Sequence, residues 1–151
     1  MSNLSGFVKR IRDVMRNDAG INGDAQRIEQ IVWMLFLKVY DAKEEDWEFE
    51  DEKYESIIPE DLRWRNWAHS ENQNEDLTGD NLLNFVNNKL FPTLKSLEVT
   101  PETPIRQSIV RTTFEDANNY MKDGVLLRQI VNIIDELDFG SYEETHAFGE
   151  I

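Results

Sequence analysis

One stretch restricts the fold of this chain more than any other: Arg27-Ile28-Glu29-Gln30-Ile31-Val32-Trp33-Met34-Leu35-Phe36-Leu37-Lys38-Val39-Tyr40-Asp41. Ile28, Ile31, Val32, Leu35, Phe36 and Val39 recur at steps that hold one face of a helix, and Trp33, Met34, Leu37 and Tyr40 add apolar bulk elsewhere around it. A helix apolar on nearly every side has to be surrounded by other elements. The pattern predicts a core helix from about Ile28 to Ala42, with Asp24 before it as N-cap, inside a single irregular all-α domain.

The flanking segments fit that expectation. Leu4, Val8, Ile11 and Met15, widened by Phe7 and Val14, predict an amphipathic first helix ending near Asn17-Asp18-Ala19-Gly20. From Asp41 to Glu55 the chain carries nine carboxylates against Lys43 and Lys53, with Trp47, Phe49 and Tyr54 between them, which reads as a solvated acidic connector. Pro59-Glu60-Asp61-Leu62-Arg63-Trp64 reads as a short turn, followed by Trp67 and a polar loop through Asp76. A helix through Leu82, Phe85, Val86, Lys89 and Leu90 is expected to stop at Phe91-Pro92. Thr103-Pro104 opens a further segment through Ile105, Ile109 and Thr112, and the last helix starts near Asp123-Gly124 and runs through Leu127, Ile130, Val131, Ile134 and Leu137. No pair of alternating strands joined by a hairpin turn is visible.

Composition narrows function mainly by exclusion. A length of 151 residues suits one domain, and the absence of cysteine removes disulfides, thiolate metal sites and thiol nucleophiles. A net charge of −14 argues against a free-standing nucleic-acid binder, so any DNA contact has to be local. His69 and His146 lie far apart and lack a ligand pattern, so no metal site is expected. The seven glycines form no phosphate-cradling loop, the acidic connector lacks calcium-loop spacing, and no G-x-S-x-G elbow occurs. The N-terminus has no secretory pattern, and the longest apolar run, Ile31 to Leu37, is far too short to cross a bilayer, so a cytoplasmic protein is expected.

Two segments carry a more specific signal. The run from Arg27 to Asp41 resembles the core helix of type I restriction-modification modification subunits, in which a variant of L-L-F-L-K-x-x-x-D follows a short first helix. Ile133-Ile134-Asp135-Glu136-Leu137-Asp138-Phe139 and His146-Ala147-Phe148-Gly149-Glu150-Ile151 look like that family's passage into its methyltransferase domain, where an F-G-[DE]-I-Y-E helix begins. The resemblance implies an N-terminal helical domain over residues 1–140. Residues 141–151 would start the linker or first helix leading to a methyltransferase domain absent from this sequence. The complete subunit is expected to transfer methyl from S-adenosylmethionine to the exocyclic amine of adenine. The glycine-containing cofactor motif and the N-P-P-[FY] motif are not in this sequence, so no catalytic, cofactor-binding or metal residue is carried over, and no cofactor is expected on this stretch. The implied partners are the specificity subunit, a second modification subunit, the restriction subunit and duplex DNA. The rival reading is a stand-alone acidic helical adaptor, or a DNA mimic whose carboxylates imitate phosphates.

Three groups of residues are candidate contacts. Lys9, Arg12 and Arg16 share one side of the first helix, with Arg10 nearby, and form the densest basic group, a candidate phosphate-contacting edge. Arg63, Trp64, Arg65 and Trp67 combine residue types favoured at interfaces, although a Trp after a proline turn also serves to plug the edge of its own core. Phe148 and Ile151 are an apolar pair suited to packing against a further domain.

Overall fold

In the computed structural model of the chain, which describes residues 4–69 and 77–137, every regular element is helical, as the sequence predicts. Helix α1 (Leu4–Met15) turns into α2 (Asp24–Glu50), followed by a 3₁₀ turn (Glu60–Leu62) and the short α3 (Trp64–Trp67). Next come α4 (Gly79–Phe85), a π-helical turn (Val86–Leu90), α5 (Phe91–Lys95), α6 (Ile105–Glu115) and α7 (Gly124–Asp135).

The core helix exists, but a different face of it is buried. Trp33, Met34, Leu37 and Tyr40 point inward together with Gln30, Asp41 and Glu44, whereas Ile28 and Val32 remain 61% and 51% exposed. Helical periodicity cannot choose between two apolar faces. Side-chain size can, because the aromatic face removes more area from water. Trp33 packs edge-on against Phe91, with ring centroids 4.9 Å apart, and Phe91 meets Phe114 at 5.3 Å, so α2, α5 and α6 share one aromatic cluster. The helix starts with Asp24 as its first residue and Gly23, at φ 96°, as the cap, which corrects the placement of Asp24 as N-cap.

The helix also continues eight residues beyond Ala42, through the segment expected to be a solvated connector. Asp41, Glu44 and Glu48 fall at steps of three and four and thus line the same side. Two arginines close over them. Arg65 donates to Asp41 at 2.9 Å and lies 3.0 Å from Glu48; Arg63 lies 3.0 Å from Glu48, 3.4 Å from the buried Glu44 and 3.3 Å from Glu60. Tyr54 donates its hydroxyl to Glu44 at 2.6 Å, and burial together with that acceptor pushes the phenol up to about 12. Trp47 continues the aromatic line from Tyr40 at 5.4 Å, and the Arg106 guanidinium caps its ring at 4.7 Å. The acidic stretch is helical because its inward carboxylates are neutralised.

Phe91-Pro92 does not end a helix as expected. The run from Gly79 to Lys95 passes through the proline by widening into the π turn, in which the Phe91 N–H reaches back to the Val86 carbonyl. A proline inside a helix removes one N–H and crowds the carbonyl four residues earlier, and an inserted π turn relieves both problems.

Helix α7 packs against α1, α2 and α4 and buries Leu127, Ile130, Val131 and Ile134. Both of its ends are fixed by carboxylates. Asp123 accepts from the Val125 and Leu126 N–H groups as N-cap, while the buried Asp18 accepts from the N–H groups of Gly20, Lys122 and Asp123 at 2.7 to 3.1 Å. A Cβ on Gly124 would lie 1.8 Å from the Gly79 carbonyl oxygen, so α4 and α7 approach here at a distance only glycine permits. At the other end Asp135 accepts from Trp64 Nε1 at 2.8 Å, with His69 Nδ1 also at 2.8 Å and Lys38 Nζ at 3.4 Å. Burial works to raise the Asp135 pKa, but these partners override it and hold the carboxyl below its ordinary range.

Two outcomes follow from these anchors. Arg63→Met strands Glu44 in the interior and is expected to cost about 3–5 kcal/mol in urea unfolding, whereas the double variant Arg63→Met/Glu44→Leu recovers roughly half of that or more. For Asp135 the lowered native pKa means that the unfolded carboxylate takes up its proton first. Its contribution is therefore complete above about pH 4 and is lost as pH falls through the native value. Unfolding midpoints measured from pH 6 to pH 2.5 should fall more steeply for the native chain than for Asp135→Asn.

Candidate functional site

The cations of α1 divide into two sets. Lys9, Arg12 and Arg16, the last just past the end of α1, are exposed and directed away from the buried Phe7, Ile11 and Met15, with Arg12 nearest to them on the flank. Arg16 lies 3.7 Å from Asp13, one turn earlier, an exposed pair of small energetic weight. Arg10 stands on another flank and donates to Glu136 at the end of α7, at 3.1 Å. Three of the four predicted contact cations therefore share a surface, and the fourth ties α1 to α7.

Beside that basic edge runs an open groove of about 360 Å³ between α1 and the first half of α2. Phe7 and Val8 form one wall, and Ile28, Ile31, Val32 and Leu35 form the other. Arg12 stands at the rim between groove and basic edge. At the same end Arg27 is ion-paired with Asp24 within the first turn of α2, and that hydrogen bond and charge hold the Asp24 carboxyl below its ordinary range. Sequence reasoning missed this surface because its residues are the ones periodicity assigned to the core.

The second predicted group is largely internal. Trp64 and Trp67 are buried, 5.2 Å apart by ring centroids, and their indole N–H groups donate to Asp135 and to the Leu62 carbonyl. Arg63 is buried and Arg65 half-buried, both engaged with the acidic face of α2. The core-plugging alternative describes Trp64 and Trp67, and the two arginines are internal counter-ions. The signal that links them to α2 is the spacing of Asp41, Glu44 and Glu48. Arg128, also buried, donates to the Trp67 and Ala68 carbonyls, and burial lowers its pKa against the opposing charge of Asp135. Phe148 and Ile151 lie outside the described residues.

Among the described residues no cluster of three or more His, Asp and Glu side chains could hold a metal ion, and no helix is long and apolar enough to cross a membrane. The described surface offers a basic edge and an apolar groove, features suited to contact with macromolecules.

Comparison with known proteins places this architecture. Residues 4–134 match the family described as the HsdM N-terminal domain. The chain is 48% identical over 148 residues to the type I restriction enzyme EcoEI methylase subunit of Escherichia coli, covering 98% of this chain and 30% of that protein. In structure it is similar to a modification subunit of a putative type I restriction enzyme from Vibrio vulnificus YJ016, with a TM-score of 0.85, 34% identity, and coverage of 97% of this chain and 33% of that one. A second solved chain, from work on complex assembly and conformational transition of the type I R-M system, superposes with a TM-score of 0.78 at 30% identity, covering 99% of this chain and 29% of its own. The chain thus spans about a third of the length of the proteins it matches, and it belongs to the family of HsdM N-terminal domains.

Proposed function

We propose that this domain serves a type I restriction-modification modification subunit as its assembly and DNA-clamp element. The complete subunit transfers a methyl group from S-adenosylmethionine to the exocyclic amine of adenine in duplex DNA. The observation that carries the reading is the 48% identity over nearly the whole chain to a methylase subunit about three times as long. The partners are the specificity subunit, a second modification subunit and the restriction subunit of the same system. S-adenosylmethionine binds outside residues 1–151, and the protein works in the cytoplasm.

The DNA surface in this reading is Lys9, Arg12 and Arg16. An enzyme that acts on a base within a duplex has to extrude it, and the unstacking energy is recovered only if the rest of the DNA stays held. Phosphate contacts from one helix edge supply such a hold without reading sequence. Arg10, paired with Glu136, contributes to positioning α1.

Two measurements test the proposal. The complete subunit joined to its specificity subunit is expected to label adenine with tritiated S-adenosylmethionine, and residues 1–151 alone are expected to give no labelling; labelling by the 151-residue chain overturns the assignment. In the assembled complex, reversing Lys9, Arg12 and Arg16 to Glu is expected to weaken DNA binding and to reduce the slope of log K against log salt by about 0.9 for each phosphate that is no longer neutralised. An unchanged slope removes these residues from the DNA surface.

A further inference from the structure

The turn between α1 and α2 sets a chemically reactive pair of residues in open solvent. Asn22-Gly23 is the only asparagine-glycine step in the sequence, and both residues are exposed. Gly23 adopts φ 96° and ψ 172°, a region open essentially to glycine alone, so the fold requires glycine at this position. The Asn22 N–H donates to Gln26 Oε1 at 2.7 Å, and the Gly23 carbonyl accepts from the Arg27 N–H at 3.2 Å, which fixes the backbone at the start of α2. The Asn22 side-chain amide and the Gly23 N–H, by contrast, have no hydrogen-bond partner among the described residues. A Cβ on Gly23 would meet nothing within 4 Å, so there is room for a ring to form on this peptide bond.

We propose that Asn22 is a site of spontaneous deamidation and that its isoaspartyl product weakens the junction of α1 with α2. Once the Gly23 N–H gives its proton to hydroxide, the nitrogen attacks Asn22 Cγ, the Cγ–Nδ2 bond breaks, and ammonia leaves with a proton from water. The result is a five-membered succinimide, which water then opens. Attack at Cγ leaves ordinary aspartate. Attack at the main-chain carbonyl carbon leaves isoaspartate, in which the chain runs through Cγ and gains a methylene. Either route consumes one water overall and releases one ammonia, with no change of oxidation state.

Other steps in the chain that could close the same ring are restrained. Asp123-Gly124 is the sole aspartate-glycine step, but its carboxylate is held by the Val125 and Leu126 N–H groups, and the Gly79 carbonyl lies against Gly124. Asn84 and Asn132 lie inside helices and precede Phe85 and Ile133, whose side chains hinder the attacking nitrogen. None of these restraints operates at Asn22. Its two products act differently on α2. No side chain caps this helix, so an aspartate just before it places a carboxylate near the positive end of the helix dipole. Isoaspartate lengthens the backbone between the Asn22 N–H bonded to Gln26 and the Gly23 cap, and these can no longer keep their present spacing. Both products add one negative charge to the net −14, at the end of α2 where Asp24 and Arg27 meet Arg12 around the groove.

The test ages the 151-residue chain in warm, mildly alkaline buffer and follows each asparagine by peptide mass spectrometry, with the aspartyl and isoaspartyl forms separated by chromatography. Asn22 is expected to convert first, at a rate within about tenfold of that in a synthetic peptide of residues 19–27. Asn22→Gln, whose longer side chain has to close a larger ring, should lower conversion at this position by at least about tenfold, and Asp123 should show no isomerisation over the same period. The purified isoaspartyl chain should unfold at lower urea, with its unfolding constant raised about fivefold, whereas Asn22→Asp should be at least as stable as the native chain. Conversion of Asn22 more than about tenfold slower than in the peptide, or another asparagine converting ahead of it, overturns the proposal. So does undiminished conversion in Asn22→Gln, or an isoaspartyl chain as stable as the native one.

Discussion

The long helix at the centre of this domain depends on two arginines that close over its acidic face. Without Arg63 and Arg65, the buried carboxylates of Asp41 and Glu44 would face a low-dielectric interior with no cation beside them, Glu48 at its edge would lose both of its ion pairs, and the second half of α2 would have to turn outward or unwind. The arginines come from the cap and first turn of α3, the next α-helix after α2, so the helix is held by the chain that leaves it. That return also carries Trp64 and Trp67 into the core, and through the indole N–H of Trp64 it reaches Asp135 at the end of α7. One electrostatic requirement thereby sets the length of α2, the path of the α3 turn and the seating of α7.

Buried ion pairs are seldom net stabilising compared with apolar residues of the same shape, so stability is a poor account of this cluster. Geometry is a better one. Leu and Ile side chains would let the α3 turn slide along α2, whereas a forked guanidinium shared between carboxylates one turn apart admits a single register. The same device appears at the start of α7, where the buried Asp18 gathers three backbone N–H groups and fixes the loop that Gly124 brings against Gly79. Apolar surface supplies most of the driving force in this fold, and its few buried charges determine where the helices sit.

How much of this was legible in the sequence follows from the same division. The helical class, α1, the start of α7 and the existence of a central helix all follow from periodicity, which reports what a segment does locally. The buried face of α2 was not legible, because two apolar faces satisfy the same periodicity and only the aromatic rings of Phe91 and Phe114, far along the chain, decide between them. The acidic stretch read as connector because carboxylate density signals solvent unless a counter-ion is known, and the counter-ions Arg63 and Arg65 read as surface for the same reason. Pro92 read as a stop because π turns have no sequence signature of their own. At the candidate site, the helical spacing of Lys9, Arg12 and Arg16 sufficed to place them together, whereas the pairing of Arg10 with Glu136 required the packing of α1 on α7.

A domain of net charge −14 that is proposed to contact DNA poses an electrostatic problem, and the layout of α2 bears on it. The basic edge of α1 lies near the start of α2, since only a short turn separates Met15 from Asp24. Glu45, Asp46, Glu50 and Asp51 lie toward the other end, roughly 20–40 Å along the helix axis from the residues of α2 beside that edge. Exposed charges separated by that distance interact weakly when the screening length is about 8 Å at physiological salt. A phosphate backbone approaching Lys9, Arg12 and Arg16 therefore meets those cations, with Asp13 and the ion-paired Asp24 as nearby acids, and only a remnant of the distant carboxylates. The acids nearer the middle of α2, Asp41, Glu44 and Glu48, are already matched by Arg63 and Arg65. Net charge describes the solubility of such a domain, and the separation of its charges along one rigid helix governs which end an anion can approach.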